Sequence, residues 1–390
     1  MRAKRGRSES IKPPRRNAML IGCPKEIKTK EFRVGLTPTS VREYVRNGHQ
    51  VIVETNAGAG IQASDDDYVR AGAKIVKTAK EVFDAADMIV KVKEPQPAET
   101  AMLRKDQILF TYLHLAADPV QAKGLIDSGC IAIAYETVTS ERGGLPLLAP
   151  MSEVAGRMGV HVGAYHLHAA MGGSGILIGG VPGVKAAEVV VLGGGVAGTH
   201  AAKMAVGMEA RVTIIEKSLD RIRQLEDLFG NRANIIYSTQ DSVEEYVSQA
   251  DLVVGAVLIP GALAPKLITR ELLKKMRPKS VIVDIAIDQG GCAETSKATT
   301  HDNPTYEVEG IVHYCVANMP GAVPRTSAYA LNNAVLPYGL ELANKGWVKA
   351  LGDNKHLRNG LTVCKGKITH AEVARDLKLD YAKAEEQLAA

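Results

Sequence analysis

The sequence predicts an α/β protein: two domains in tandem, each a mostly parallel sheet flanked by helices, with a cleft between them. Three observations carry this. Short apolar runs alternate with helical stretches from Met19 to about Asn318, the pattern of parallel sheets. The chain has 390 residues, 46% hydrophobic and 23% charged, enough for two sizeable cores. A glycine-rich turn near the middle separates a strand-like run from a helix, as at the start of a second α/β unit.

The first series of strands reads MLIGC (19–23), VIVET (51–55), KIVK (74–77), MIVKVK (88–93), QILFTYLH (107–114) and CIAIAYET (130–137). Helices between them have legible ends. Thr37-Pro38 puts proline at a first helical position, Thr78 with Glu81 forms a capping box, and Asn47-Gly48 reads as a helix stop. The second series reads EVVVL (188–192), RVTIIE (211–216), NIIYST (234–239), DLVVGAV (251–257), SVIVDIAID (280–288) and IVHYCVAN (311–318). From Pro324 the pattern turns helical, then gives TVCKGKI and a helix whose capping box is expected at Thr369 and Glu372. That tail is too small for a third domain and is expected to pack back on the first.

Charge and cysteine content exclude several classes. The formal net charge is +5, yet residues 1–18 hold seven basic groups and one acid, leaving 41 basic and 42 acidic groups for the rest. A near-neutral body lacks the electrostatic footprint of a nucleic-acid binder, and one Trp with four Phe offers little for base stacking. Residues 1–18 read as a basic, flexible extension. Cys23, Cys130, Cys292, Cys315 and Cys364 lack zinc or disulfide spacing and point to a reducing cytoplasm. No stretch reads as a membrane span, and His161, His166 and His168 are not spaced for a metal, so none is expected.

Strand EVVVL runs into Gly193-Gly194-Gly195-Val196-Ala197-Gly198, the G-x-G-x-x-G pattern, and a helix follows. Gly193 permits the tight turn, Gly195 lets backbone N–H groups approach a pyrophosphate, and Gly198 lets the helix lie close to the strand. Glu216 ends the next strand, where an acid hydrogen-bonds the adenosine ribose and repels a 2′-phosphate, favouring NAD over NADP. Lys217 and Arg221 soften that preference. This is the fingerprint of a Rossmann-like dinucleotide site. The other glycine-rich stretch, GGSGILIGGVPG, lacks the spacing and reads as a loop or domain junction.

Ligands of open α/β sheets sit beyond the carboxyl ends of the strands. Lys93, His114, Asp288 and Asn318 each close a predicted strand, and Arg33 lies just after the first one. Each alone has an ordinary structural reading; together they form a candidate site. Arg33 and Lys93 are a fork and a point charge suited to a small carboxylate. His114 has the side-chain type that titrates near neutrality and suits a general acid/base. Asp288 could position water or ammonium, or take up a second proton. Glu136 also ends a strand, with a structural hydrogen bond or a site role equally open.

These segments, KEFRVGLTP (30–38), KVKEP (91–95), FTYLHLAAD (110–118), LPLLAPMSEVAGRM (145–158), GGVPGV (179–184), VVVLGGGVAG (189–198), GAVLIPGALAPKL (255–267), VDIAIDQGGC (283–292) and YCVANMPGAVPRTS (314–327), resemble the NAD-dependent alanine dehydrogenase family. The resemblance implies oxidative deamination of L-alanine to pyruvate and ammonium with NAD, and the reverse reaction. It implies that Arg33 and Lys93 hold the substrate, that His114 is the acid/base and Asp288 its catalytic partner, and that Met151, Ser152, Val257 and Asn318 lie beside the cofactor. Glu216 stands where the family commonly has aspartate. The implied domains are substrate-binding (19–146), NAD-binding (147–323) and a C-terminal segment (324–390) completing the first, with hexamers the usual assembly. Two rivals share the scaffold. Complete LHLAAD and DIAIDQGG segments argue against the α-subunit of nicotinamide nucleotide transhydrogenase, and the presence of all four site residues argues against a non-catalytic NAD-binding protein.

Overall fold

The computed structural model describes residues 18–257 and 263–389; the basic segment at 1–17 lies outside them. Each apolar run forms a strand; EVVVL and RVTIIE keep their expected bounds, and most of the others are shorter than their composition predicts. β1 (Leu20–Cys23), β2 (Gln50–Glu54), β3 (Lys74–Val76), β4 (Met88–Val90), β5 (Ile108–Thr111) and β6 (Ile131–Ala134) open the chain. β7 (Glu188–Leu192), β8 (Arg211–Glu216), β9 (Ala233–Tyr237), β10 (Leu252–Gly255), β11 (Val281–Asp284), β12 (Thr305–Val308) and β13 (Ile311–Tyr314) follow, and β14 (Leu361–Cys364) and β15 (Lys367–Ile368) come last.

Two sheets result, with orders β15-β14-β6-β5-β4-β1-β2-β3 and β12-β13-β11-β10-β7-β8-β9. Pairing is parallel except where β14 meets β6 and β15, and where β12 meets β13. In each sheet the strand order reverses direction beside the first strand of its series, between β1 and β4 in one and between β7 and β10 in the other. Such switch points open a crevice at the carboxyl ends of the strands. The described residues cluster into two units, one running to Leu147 and resuming at Ala328, the other Leu148–Ser327. The stretch from Gly172 to Gly183 is thus a loop inside the second unit, closed by a bridge between Val181 and Val184.

Helix ends follow local chemistry. Thr37 accepts the Ser40 N–H ahead of Pro38, and Thr78 and Glu81 form a reciprocal capping box. Asn47 caps the first helix, and Gly48 takes the left-handed backbone (φ 89°) that glycine adopts without penalty. The box expected at Thr369 is absent. The Thr369 hydroxyl donates to the Leu361 carbonyl instead, so helix Ala371–Leu377 starts from His370 without a side-chain cap. Strand pairing at β14 has claimed that hydroxyl.

Fully buried side chains define two cores. Val82, Phe83, Ile89, Leu109 and Leu125 pack on the first sheet, and Leu192, Val247, Val253, Leu273 and Ile282 on the second. Each such side chain contributes roughly 1.5–3 kcal/mol on leaving water.

Candidate functional site

Three of the expected substrate-side residues occupy loops just beyond β1, β4 and β5. The sequence predicts Lys93, His114, Asp288 and Asn318 at strand ends; the chain leaves each strand earlier. β4 stops at Val90, β5 at Thr111, β11 at Asp284 and β13 at Tyr314. For two of them the backbone shows why: His114 (φ 48°) and Asn318 (φ 57°) are left-handed, a conformation foreign to a regular strand, while Asp288 lies on a 3₁₀ turn. The polar residues are therefore carried by the connecting turns.

Arg33 is buried, and Glu31 engages it in a fork: Nε donates to Oε1 at 2.6 Å and a terminal nitrogen donates to Oε2 at 2.5 Å. Burial would push the Glu31 carboxyl up, but the hydrogen bonds and charge of Arg33 outweigh it and hold it below the usual carboxylate range. The guanidinium plane is thereby fixed. Lys93 is half-buried, and its ammonium is pushed below the usual lysine range, first by burial and then by the adjoining charge of Arg33. The two cations, Arg33 fixed by Glu31 and Lys93 lowered in proton affinity by burial and by Arg33, suit a small anion.

The loop that carries Lys93 is anchored from beneath. Lys91 is fully buried between Glu26 (2.9 Å) and Glu99 (2.7 Å), and each carboxylate also takes a backbone N–H of the same loop, from Val92 and Gln96 respectively. The sequence alone does not announce this triad, since Lys91 falls within the apolar run MIVKVK and its two partners lie outside it.

His114 stacks on Tyr112, with ring centroids 5.7 Å apart and planes within 8°. Tyr112 is itself pinned by its hydroxyl, which donates to the Leu147 carbonyl. The Glu136 carboxylate accepts the backbone N–H groups of Leu113 (3.2 Å) and His114 (2.6 Å), and lies 4.0 Å from His114 Nδ1. Glu136 thus holds the turn in its left-handed form and places an acceptor near the imidazole. The half-exposed ring stays accessible (49%).

In the second unit the glycine-rich turn is as tight as its spacing predicts. Gly193 has φ 90°, and a Cβ on Gly198 would lie 1.8 Å from the Gly193 carbonyl oxygen. A Cβ on Gly195 would meet nothing within 4 Å, so open space adjoins the first turn of helix Val196–Gly207, whose Gly195 N-cap offers no side-chain acceptor. Unsatisfied N–H groups facing open space are what a pyrophosphate fits. Val196 and Ala197 form that first turn. Gly198→Ala is expected to displace the turn, raise the KM for the dinucleotide at least about tenfold and cost about 1–3 kcal/mol; steady-state kinetics and thermal unfolding measure both.

Glu216 is held in place by the turn it serves. Its carboxylate accepts N–H groups from Gly194 (2.7 Å), Lys217 (2.8 Å) and Ser218 (2.8 Å), which leaves about one of its roughly four acceptor sites. Arg221 donates to the Gly194 carbonyl (2.8 Å) and to Thr199 Oγ1 (2.7 Å). Arg221 and Glu216 thus brace the same residue, Gly194, one at its carbonyl and the other at its N–H.

Val257 follows β10, partly buried against the core, and half-buried Asn318 follows β13. Buried Met151 and half-buried Ser152 lie in the first turn of helix Ala149–His166. Asp288 is exposed on a 3₁₀ turn, Ile285–Gln289, that follows β11. Among the described residues no three His, Cys, Asp or Glu side chains are grouped to hold a metal ion, and no helix is long and apolar enough to cross a membrane.

Comparison with known proteins matches most of both units. The model of the family "Alanine dehydrogenase/PNT, N-terminal domain" matches residues 22–155, and "Alanine dehydrogenase/PNT, C-terminal domain" matches 159–371. The chain is 56% identical to an alanine dehydrogenase of Halomonas elongata over 94% of its length and 99% of the relative's. It is 56% identical to the alanine dehydrogenase of Bacillus subtilis over 95% of its length and 98% of the relative's. A solved L-alanine dehydrogenase superposes with a TM-score of 0.90 at 53% identity, covering 92% of this chain and 99% of that one. A transhydrogenase from Sinorhizobium meliloti, at 24% identity and a TM-score of 0.78 over 90% of this chain and 99% of that one, shares the fold.

Proposed function

The chain belongs to the alanine dehydrogenase/PNT family, and from that premise we propose that it oxidises L-alanine to pyruvate and ammonium with reduction of NAD, and catalyses the reverse reductive amination. It is an amino-acid oxidoreductase. The observation that carries the reading is identity above one half with alanine dehydrogenases over nearly the full chain, 56% over 94% in one case.

Arg33 and Lys93 bind the substrate carboxylate, Arg33 through a guanidinium whose plane Glu31 has already fixed. Preorganisation of this kind lowers the entropy lost on binding. NAD, when bound, supplies the hydride acceptor; the open N–H cradle at Gly195 and the acceptor site left on Glu216 fit its pyrophosphate and ribose. Alanine loses its Cα hydrogen as hydride and a proton from nitrogen, leaving an imine. Water adds to the imine carbon, the C–N bond breaks, and ammonia departs protonated. His114 takes the proton from nitrogen and returns one to the departing ammonia, steadied by the Tyr112 ring and the Glu136 carboxylate. Asp288 positions the attacking water or the ammonium. Glu216 selects NAD over NADP. The family premise also supports a cytoplasmic homo-oligomer, a hexamer that light scattering would detect.

The deciding assay follows absorbance at the NADH wavelength with purified protein, NAD and L-alanine. Absence of alanine-dependent reduction defeats the proposal. A pH dependence is also expected. The lowered proton affinity of Lys93 means that its ammonium is lost at a lower pH than a free lysine's, so anion binding weakens as pH rises and is intact below that point. The KM for pyruvate, which has no amine of its own to titrate, should therefore climb on the alkaline side. Lys93→Arg should flatten the climb.

A further inference from the structure

The loop after β11 is fastened from both sides, and the geometry points to buried Asp284, the first aspartate of DIAID, as a positioning residue that sets Asp288 for the reaction. Asp284 is 0% exposed. Its Oδ1 accepts the Ala286 N–H (3.1 Å); its Oδ2 accepts the Cys292 N–H (2.8 Å) and the Ser296 hydroxyl (2.5 Å). One carboxylate thus ties residues on both flanks of Asp288. A Cβ on Gly291 would lie 2.6 Å from Oδ2, so the loop has no room to close otherwise.

Complementary ties come from the neighbouring segment. The Lys266 ammonium collects the loop's carbonyls, donating to Gly290, Gly291 (2.9 Å) and Ala293 (3.1 Å). Backbone N–H groups of Ala264 and Leu267 reach the Gln289 (2.9 Å) and Cys292 (2.8 Å) carbonyls. The carboxylate gathers donors and the ammonium gathers acceptors, while Asp288 alone of the DIAID acids stays exposed at the turn. Structural fastening this dense around one exposed acid serves to fix its direction, since misplacement by about 1 Å can cost a reaction about 100-fold.

The inference rests on the proposed role of Asp288, and a double-mutant cycle separates the two. Asp284→Asn turns an amide N–H toward one set of donors. It should lower kcat for alanine oxidation about 10- to 100-fold while the KM for alanine stays within about threefold. Ser296→Ala, which removes one tie only, should lower kcat by about 2- to 5-fold and covers the case in which Asp284→Asn does not fold. If Asp284 acts through Asp288, then adding Asp284→Asn to Asp288→Asn should cost less than about twofold more; a fully multiplicative loss overturns the inference. A second readout is the thiol of Cys292, buried at 0% within the fastened loop; its reaction with a thiol reagent is located by mass spectrometry and compared with that in Ser296→Ala, which keeps the Asp284 charge beside it. It should become reactive in Asp284→Asn. Should Asp288→Asn keep wild-type kcat, the role of Asp288 falls, and an unreactive Cys292 in Asp284→Asn would then overturn the fastening as well.

Discussion

His114→Ala is expected to lower kcat for alanine oxidation by about 10²- to 10⁴-fold, the range that general acid–base groups supply. The ring is half exposed, stacked on Tyr112 with the Glu136 carboxylate 4.0 Å from Nδ1, so its removal should cost little stability. The loss should therefore sit in kcat, with thermal unfolding and the KM for NAD close to wild type. Glu136 sharpens the expectation. Because that carboxylate holds the turn through backbone N–H groups of Leu113 and His114, the turn survives loss of the imidazole. Alanine at a left-handed position carries a strain of about 1 kcal/mol, and His114→Asn, which tolerates that backbone, controls for it. Near-normal turnover in both variants would remove His114 from the chemistry.

Lys91→Met is expected to destabilise the first unit by about 3–5 kcal/mol. Lys91, Glu26 and Glu99 are each essentially inaccessible to water. Removing the ammonium leaves two carboxylates buried side by side, and an uncompensated buried charge is among the costliest single changes available. For a unit of this size the corresponding fall in Tm is about 10 °C. Burial already pushes the Glu26 carboxyl up, with Lys91 opposing it and Glu99 adding to it. Without Lys91 the Glu26 carboxyl should take up a proton more readily still, so the variant should regain part of its stability as pH falls. Replacing all three with Gln, Met and Gln should recover most of the loss at neutral pH. A Tm within about 2 °C of wild type for Lys91→Met would refute the account.

These two residues also mark how far the sequence could be read. The dinucleotide turn was legible because its physics is local: Gly193, Gly195, Gly198 and Glu216 lie within one strand–helix–strand stretch, each with a backbone reason to be where it is. The parallel sheets were legible from apolar runs. The Lys91 triad was not, since Glu26 stands 65 residues away and nothing local announces the pairing. The role of Glu136 is hidden for the same reason, its partners being 22 and 23 residues upstream. Strand ends were overrun because apolar composition continues past Thr111 into Tyr112 and Leu113, while the left-handed backbone at His114 stops the strand. The edge strand β12 went unread; its half-exposed residues lack the apolar run that marks the central strands. Thr369 showed a sound local motif that a tertiary hydrogen bond overrode.

The antiparallel pairing of β14 with β6 has a consequence for synthesis. The second unit is one continuous stretch, Leu148–Ser327, and emerges from the ribosome whole. The first is not: β6 leaves the ribosome more than two hundred residues before the strand that covers its edge. Until β14 arrives, Ile131–Ala134 present a bare row of N–H and C=O groups on four buried-type residues, a template for pairing with another nascent chain. The unit made first is the one finished last, and ribosomes stalled between the two strands should yield chains that aggregate through that edge.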